Sequence, residues 1–66
     1  MKNHLKVERA KKDITQAKLA EEIGVSRQTI NAIEKGKFIP STLLALKMAR
    51  YFETAVENVF ELEDKE

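Results

Sequence analysis

With 66 residues, no cysteine, one histidine and a net charge of +1, the chain has room for one small domain, residues 1–66, and nothing with which to staple it. Disulfides and thiolate metal sites are excluded, and His4 has no clustered Cys or His companion, so it is expected as an ordinary surface residue. No stretch is apolar for the length of a bilayer and Met1 to Lys12 lacks the apolar centre of a signal peptide, which points to a soluble cytoplasmic protein.

The charges are segregated along the chain. Residues 1–18 carry six basic and two acidic side chains and residues 27–50 carry five and one, whereas 19–26 are net −2 and 51–66 net −5. A polyanion would therefore meet the first part of the chain and the 27–37 region, with the acidic tail facing away.

Taken in order, residues 2–12 form a first helix or a short extended lead followed by one. Leu5 is its apolar residue. Arg9 is either a solvated charge or half of a partly buried pair with Glu34. Asp13 and Ile14 link to Thr15, which caps a second helix whose apolar face is Leu19, Ala20 and Ile23. Gly24 ends that helix and Ser26 caps the next only two residues later, so the turn is tight.

The third helix turns Ile30 and Ile33 inward and leaves Arg27, Gln28, Asn31, Ala32 and Lys35 on its remaining surface. Two helices of about two turns each are too short to stand alone and must pack on their neighbours. Arg27 and Gln28 carry hydrogen-bonding forks of the kind that pair with guanine and adenine edges. Helix, glycine turn and polar helix is the arrangement that offers a second helix to a DNA major groove.

Gly36 stops the third helix and Pro40 constrains the entry to the fourth. Lys35 and Lys37 flank the loop, either solvated or placed to meet phosphates. Phe38 is expected as a core plug, since one aromatic does not make a stacking platform for single strands. Ser41 caps a fourth helix to about Phe52, with Ala45, Met48, Ala49 and Phe52 inward. Leu43, Leu44, Leu46 and Tyr51 widen its apolar surface, which fits either a subunit contact or a few exposed side chains.

Thr54-x-x-Glu57 has the order of a capping box and predicts a short fifth helix over 55–60. Phe60 to Glu63 alternates apolar and acidic as a half-buried strand does, and such a strand needs a partner, for which a second subunit is the candidate. Catalysis is not indicated. Glu21 and Glu22 are adjacent and point apart, Ser26 has no nearby base, and neither a metal nor a cofactor nor a small-molecule ligand is implied.

The stretch from Thr15 to Gly36 resembles the lambda-repressor and Cro-like family, also called the Xre family. The motif T-Q-x-x-L-A-x-x-x-G-V-S-x-x-x-I-x-x-x-E-x-G is filled by Thr15, Gln16, Leu19, Ala20, Gly24, Val25, Ser26, Ile30, Glu34 and Gly36, and it continues into Pro40-Ser41 and Leu46-Lys47-Met48-Ala49. The resemblance extends over roughly residues 5–60 and implies an all-α fold of five helices, with a short terminal strand pairing in a homodimer.

It further implies that Arg27, Gln28 and Ala32 meet bases, that Gln16, Thr29, Asn31, Lys35 and Lys37 meet backbone or flank, and that Arg9 pairs with Glu34. Leu43, Leu46, Tyr51, Phe60 and Leu62, with residues 54–66 as an element, are the expected dimer contacts. Residues 2–4 are a candidate partner for the terminal strand. The chain departs from its relatives at Glu8, where they commonly carry Leu or Ile, and at Ala32, where some carry a longer base-reading side chain. The implied function is a homodimer on a palindromic double-stranded DNA operator, most simply a repressor. A protein-interaction or antitoxin-like adaptor built on the same fold is the alternative.

Overall fold

The computed structural model describes residues 1–66 and is all-α apart from its two ends. The order is β1 (Lys2–Asn3), α1 (Leu5–Lys12), α2 (Gln16–Ile23), α3 (Arg27–Glu34), α4 (Thr42–Tyr51), α5 (Val56–Val59) and β2 (Phe60–Glu61). The chain therefore enters α1 from a short extended lead.

Local chemistry sets most of the boundaries. The hydroxyls of Thr15, Ser26 and Ser41 accept from Lys18, Thr29 and Leu44 N–H at 3.0, 3.1 and 3.2 Å, each relieving a donor that the first turn of a helix leaves unpaired. Gly24 (φ 88°) and Gly36 (φ 74°) close α2 and α3 in the left-handed region. Past them the chain folds back, with Val25 N–H on Ala20 O at 3.0 Å and Lys37 N–H on Ala32 O at 2.9 Å.

The same turn closes α1 and α4 without glycine. Asp13 (φ 54°) and Glu53 (φ 55°) occupy the left-handed position, and Ile14 and Thr54 N–H reach back to Arg9 O and Ala49 O. Aspartate tolerates this conformation better than glutamate does.

The core is one cluster to which every helix contributes. Leu5, Leu19, Ile30, Ile33, Met48 and Val59 are its fully buried side chains, with Ala20, Ile23, Phe52 and Phe60 around them. Glu8 is also buried, its carboxylate held at 3.1 Å by the exposed ammonium of Lys11.

Two expectations are corrected. Thr54 is not the cap of α5: Ala55 holds that position with no side-chain bond, and Thr54 Oγ1 instead accepts from Asn58 Nδ2 at 2.9 Å. Phe38 is no core plug but is 48% exposed, because the turn at Gly36 carries it outward and Pro40 takes the buried place. Phe60 packs into its own chain's core and also lines an apolar cavity that opens at the surface. The terminal strand pairs with residues 2–3, inside the 2–4 segment expected as its partner, and it does so within one chain. Lys2 pairs with Glu61 and Asn3 with Phe60, antiparallel, while His4 N–H reaches Val59 O at 2.7 Å.

Tyr51 is likewise turned away from Leu43 and Leu46. It packs edge-on to Phe52, with Lys12 Nζ 4.7 Å from its ring centre. Leu43 and Leu46 remain exposed on α4 beside Ile39, and Leu62 beyond β2.

The left-handed glutamate makes a stability test. Glu53→Gly is expected to raise the unfolding free energy by about 0.5–1 kcal/mol in a urea titration, the relief of left-handed strain less the added chain entropy. Gly24→Ala should lower it by about 1–2 kcal/mol, even though nothing lies within 4 Å of the added Cβ.

Candidate nucleic-acid interface

Because α3 has 3.6 residues per turn, its side chains fall into three stripes with different surroundings. Ile30 and Ile33 are buried against α2 and the core. Arg27, Asn31 and Glu34, spaced i, i+4, i+7, face the N-terminal end of α2. Gln28, Ala32 and Lys35, with the same spacing, form the stripe that meets no other part of the chain through hydrogen bonds or ion pairs. Gln28 and Lys35 are exposed on it and Ala32 is half-buried.

The second stripe is bound into a polar network. Arg9 donates from Nε to Glu34 Oε2 at 2.6 Å, from Nη2 to Glu34 Oε1 at 3.1 Å and from Nη1 to Ile14 O at 3.0 Å. Gln16 Nε2 donates to Glu34 Oε1 at 3.1 Å and to Asn31 Oδ1 at 3.2 Å, and Gln16 Oε1 accepts from Arg27 Nη1 at 3.1 Å. One glutamine thus joins the partly buried ion pair to the exposed guanidinium at the head of α3.

The electrostatics follow from this packing. Burial works against the charge on Glu34, but the hydrogen bonds from Arg9 and Gln16, with the positive charges of Arg9 and Lys6, outweigh it and hold the carboxyl below its ordinary range. The hydrogen bond to Glu34 holds Arg9 more firmly protonated than usual. Arg27, Lys35 and Lys37, by contrast, form no ion pair with any acid of the chain. Their charge is uncompensated at both ends of α3.

The structure therefore sorts the residues singled out in the sequence. Gln16, Arg27 and Asn31 come together with Arg9 and Glu34. Gln28, Ala32 and Lys35 line the free stripe, Lys37 is exposed in the loop, and Thr29 Oγ1 lies 3.0 Å from Ser26 Oγ at the cap. Two contacts went unforeseen: the bridging role of Gln16, and a bond from Asn3 Nδ2 to Ile33 O at 2.9 Å. The polar residue at the first position of α2 was the available signal for Gln16; nothing local signals Asn3.

This geometry, two capped helices joined at a left-handed glycine with the second presenting a free polar stripe, coincides with a match of residues 5–58 to the helix-turn-helix family HTH_3. The chain belongs to the Xre/Cro-like helix-turn-helix regulators. It is 54% identical, over the full length of both chains, to an uncharacterized HTH-type transcriptional regulator of Methanocaldococcus jannaschii. It is 51% identical to one of Bacillus subtilis over 98% of each chain, and 44% identical to one of Archaeoglobus fulgidus over all of this chain and 93% of that one. Helix-turn-helix regulators of this family are non-catalytic. No helix here is long and apolar enough to cross a membrane.

Since the folded carboxyl of Glu34 titrates below its unfolded value, acid protonates the unfolded chain first, and the pair's stabilisation is lost as pH falls from about 4.3 through the lower folded value. Glu34→Gln is expected to cost about 3 kcal/mol at neutral pH, because it strands Arg9 in a partly buried position. It should also flatten the decline in melting temperature below that pH. A pH series of thermal melts checks both; an unchanged acid slope would show that other carboxylates carry it.

Proposed function

We propose that this helix-turn-helix protein is a cytoplasmic, sequence-specific binder of double-stranded DNA that acts as a homodimeric transcriptional regulator, most simply as a repressor occupying a promoter. The observation that carries this reading is the division of α3 into a buried stripe, a stripe of Arg27, Asn31 and Glu34 locked by Arg9 and Gln16, and a free stripe of Gln28, Ala32 and Lys35, with the guanidinium of Arg27 exposed at the head of the helix. A rigid helix with one uncommitted polar edge suits the major groove.

In this reading Arg27 and Gln28 hydrogen-bond base edges and Ala32 offers a methyl-sized contact to thymine. Gln16 holds Arg27 extended and meets the backbone from the start of α2. Lys35 and Lys37 meet phosphates beyond the end of α3, and Thr29 and Asn31 lie at the flanks.

The dimer contact we assign to the exposed Ile39, Leu43 and Leu46 and to the apolar cavity of about 280 Å³ beside them, walled by Pro40, Ala45 and Val56 and floored by Phe60. Val56 and Phe60 bring the 54–66 segment to this cavity, and the contact we propose extends to the exposed Leu62. A two-fold interface needs one patch to supply both a projection and a recess, and this patch has both. On a palindromic operator, the two α3 helices of such a dimer would enter successive major grooves about 34 Å apart. The same apolar face supports the second reading, an adaptor or antitoxin-like module whose main partner is another protein.

Titration of variants against a duplex selected from a random pool and a scrambled duplex tests the assignment. Arg27→Ala should cost about 1–3 kcal/mol on the selected duplex and little on the scrambled one, while Lys37→Ala should weaken both alike and lower the salt slope by about one. Equal losses for Arg27→Ala on the two duplexes would remove it from base reading, and no preference by the unmodified protein would favour the adaptor. Leu43→Glu should convert the dimer to monomer in analytical ultracentrifugation; an unmodified chain that stays monomeric with and without DNA would sink the dimer.

A further inference from the structure

Both ends of α3 are gripped by distant parts of the chain, and the grip at its C-terminal end comes from outside the helix-turn-helix. Asn3 stands on β1 opposite Phe60, its backbone held by the strand pairing. Its side chain faces two helix ends at once. Oδ1 accepts from Leu5 N–H at 3.3 Å, relieving a free donor at the start of α1, and Nδ2 donates to Ile33 O at 2.9 Å, within the last turn of α3. Ile33 O also takes the Gly36 N–H at 3.0 Å in the turn that closes the helix. No other side chain from outside the motif bonds to the backbone of α3.

We infer that Asn3 is a positioning residue for DNA reading: it ties the end of α3 to the β1–β2 sheet and so sets the angle at which the Gln28–Ala32–Lys35 stripe is presented. The inference rests on the DNA-binding reading above and adds to it a residue that touches no DNA. The chemistry is specific to an amide, since the position needs an acceptor for α1 and a donor for α3 on one short side chain. With the tether gone, the last turn of α3 keeps its buried Ile33 and the Arg9–Glu34 pair but loses its hydrogen bond to the sheet, which leaves room for a small tilt about those anchors. Binding to a preferred site must then restore the original angle, at a cost bounded by the lost hydrogen bond. Non-specific binding, which depends on phosphate charge, needs no such angle.

Asn3→Asp separates the two bonds, for it keeps the acceptor that caps α1 and removes the donor to Ile33; Asn3→Ala removes both. Each is to be titrated, at a temperature where melting curves show it folded, against the duplex selected by the unmodified protein and a scrambled one. The ratio of the two affinities cancels the added negative charge. It is expected to fall about fivefold in both variants. In the free proteins, amide exchange at Lys35, Gly36 and Lys37 should speed up by a similar factor relative to the amides of α2. A loss in Asn3→Ala with none in Asn3→Asp would assign the effect to the α1 cap and overturn the inference, as would unchanged exchange at the end of α3. If the unmodified protein does not discriminate between the duplexes, the DNA-binding reading fails and the positioning role falls with it, while the exchange data still decide whether the tether holds the helix.

Discussion

The arrangement of the first three helices depends on one requirement, that the carboxylate of Glu34 and the guanidinium of Arg9 be satisfied where they are largely withdrawn from water. A charge in that position is costly unless every donor and acceptor finds a partner. Both oxygens of Glu34 are engaged by Arg9, one of them also by Gln16, and the third direction of the guanidinium is taken up by Ile14 O. No buried side-chain polar atom of the chain is left without a partner. Moving α1, α2 or α3 away from the others would break one of these bonds, so the pair favours this geometry whatever it adds to net stability.

From that constraint the rest of the motif follows. Glu34 lies on the same side of α3 as Asn31 and Arg27, and Gln16 reaches all three. The hydrogen bonds that satisfy the pair continue along this stripe, through Gln16, to the exposed guanidinium at the head of the helix. The neighbouring stripe keeps its hydrogen-bonding groups free because all internal needs are met one stripe over. A small domain with few buried side chains thereby holds the polar face of α3 by more than its core alone.

Much of this could be anticipated wherever the cause is local. Thr15, Ser26 and Ser41 cap their helices by reaching three residues ahead, and Gly24 and Gly36 end theirs because only the left-handed conformation lets the following N–H groups turn back. The same logic failed at Thr54, where a sequence with the order of a capping box lies one residue before the actual cap. It also failed at Asp13 and Glu53, since nothing in their immediate surroundings announces a left-handed backbone. Phe38 was misplaced for a related reason: apolar character marks a residue as able to be buried, but the direction of the turn after Gly36 decides whether it is.

Helix periods, caps and glycine stops were determined by the sequence alone, because each rests on bonds spanning a few residues. With them came the inward faces of α2 and α3 and the polar character of Arg27 and Gln28. The tertiary structure alone decided which polar residues are committed and which are free. The Gln16 bridge spans 15 and 18 residues, the Asn3 bond 30, and the closure of β1 on β2 brings together residues 2 and 61. Contacts of that separation are selected by the packing of the whole core, which fixes where each backbone stands before any side chain can reach across.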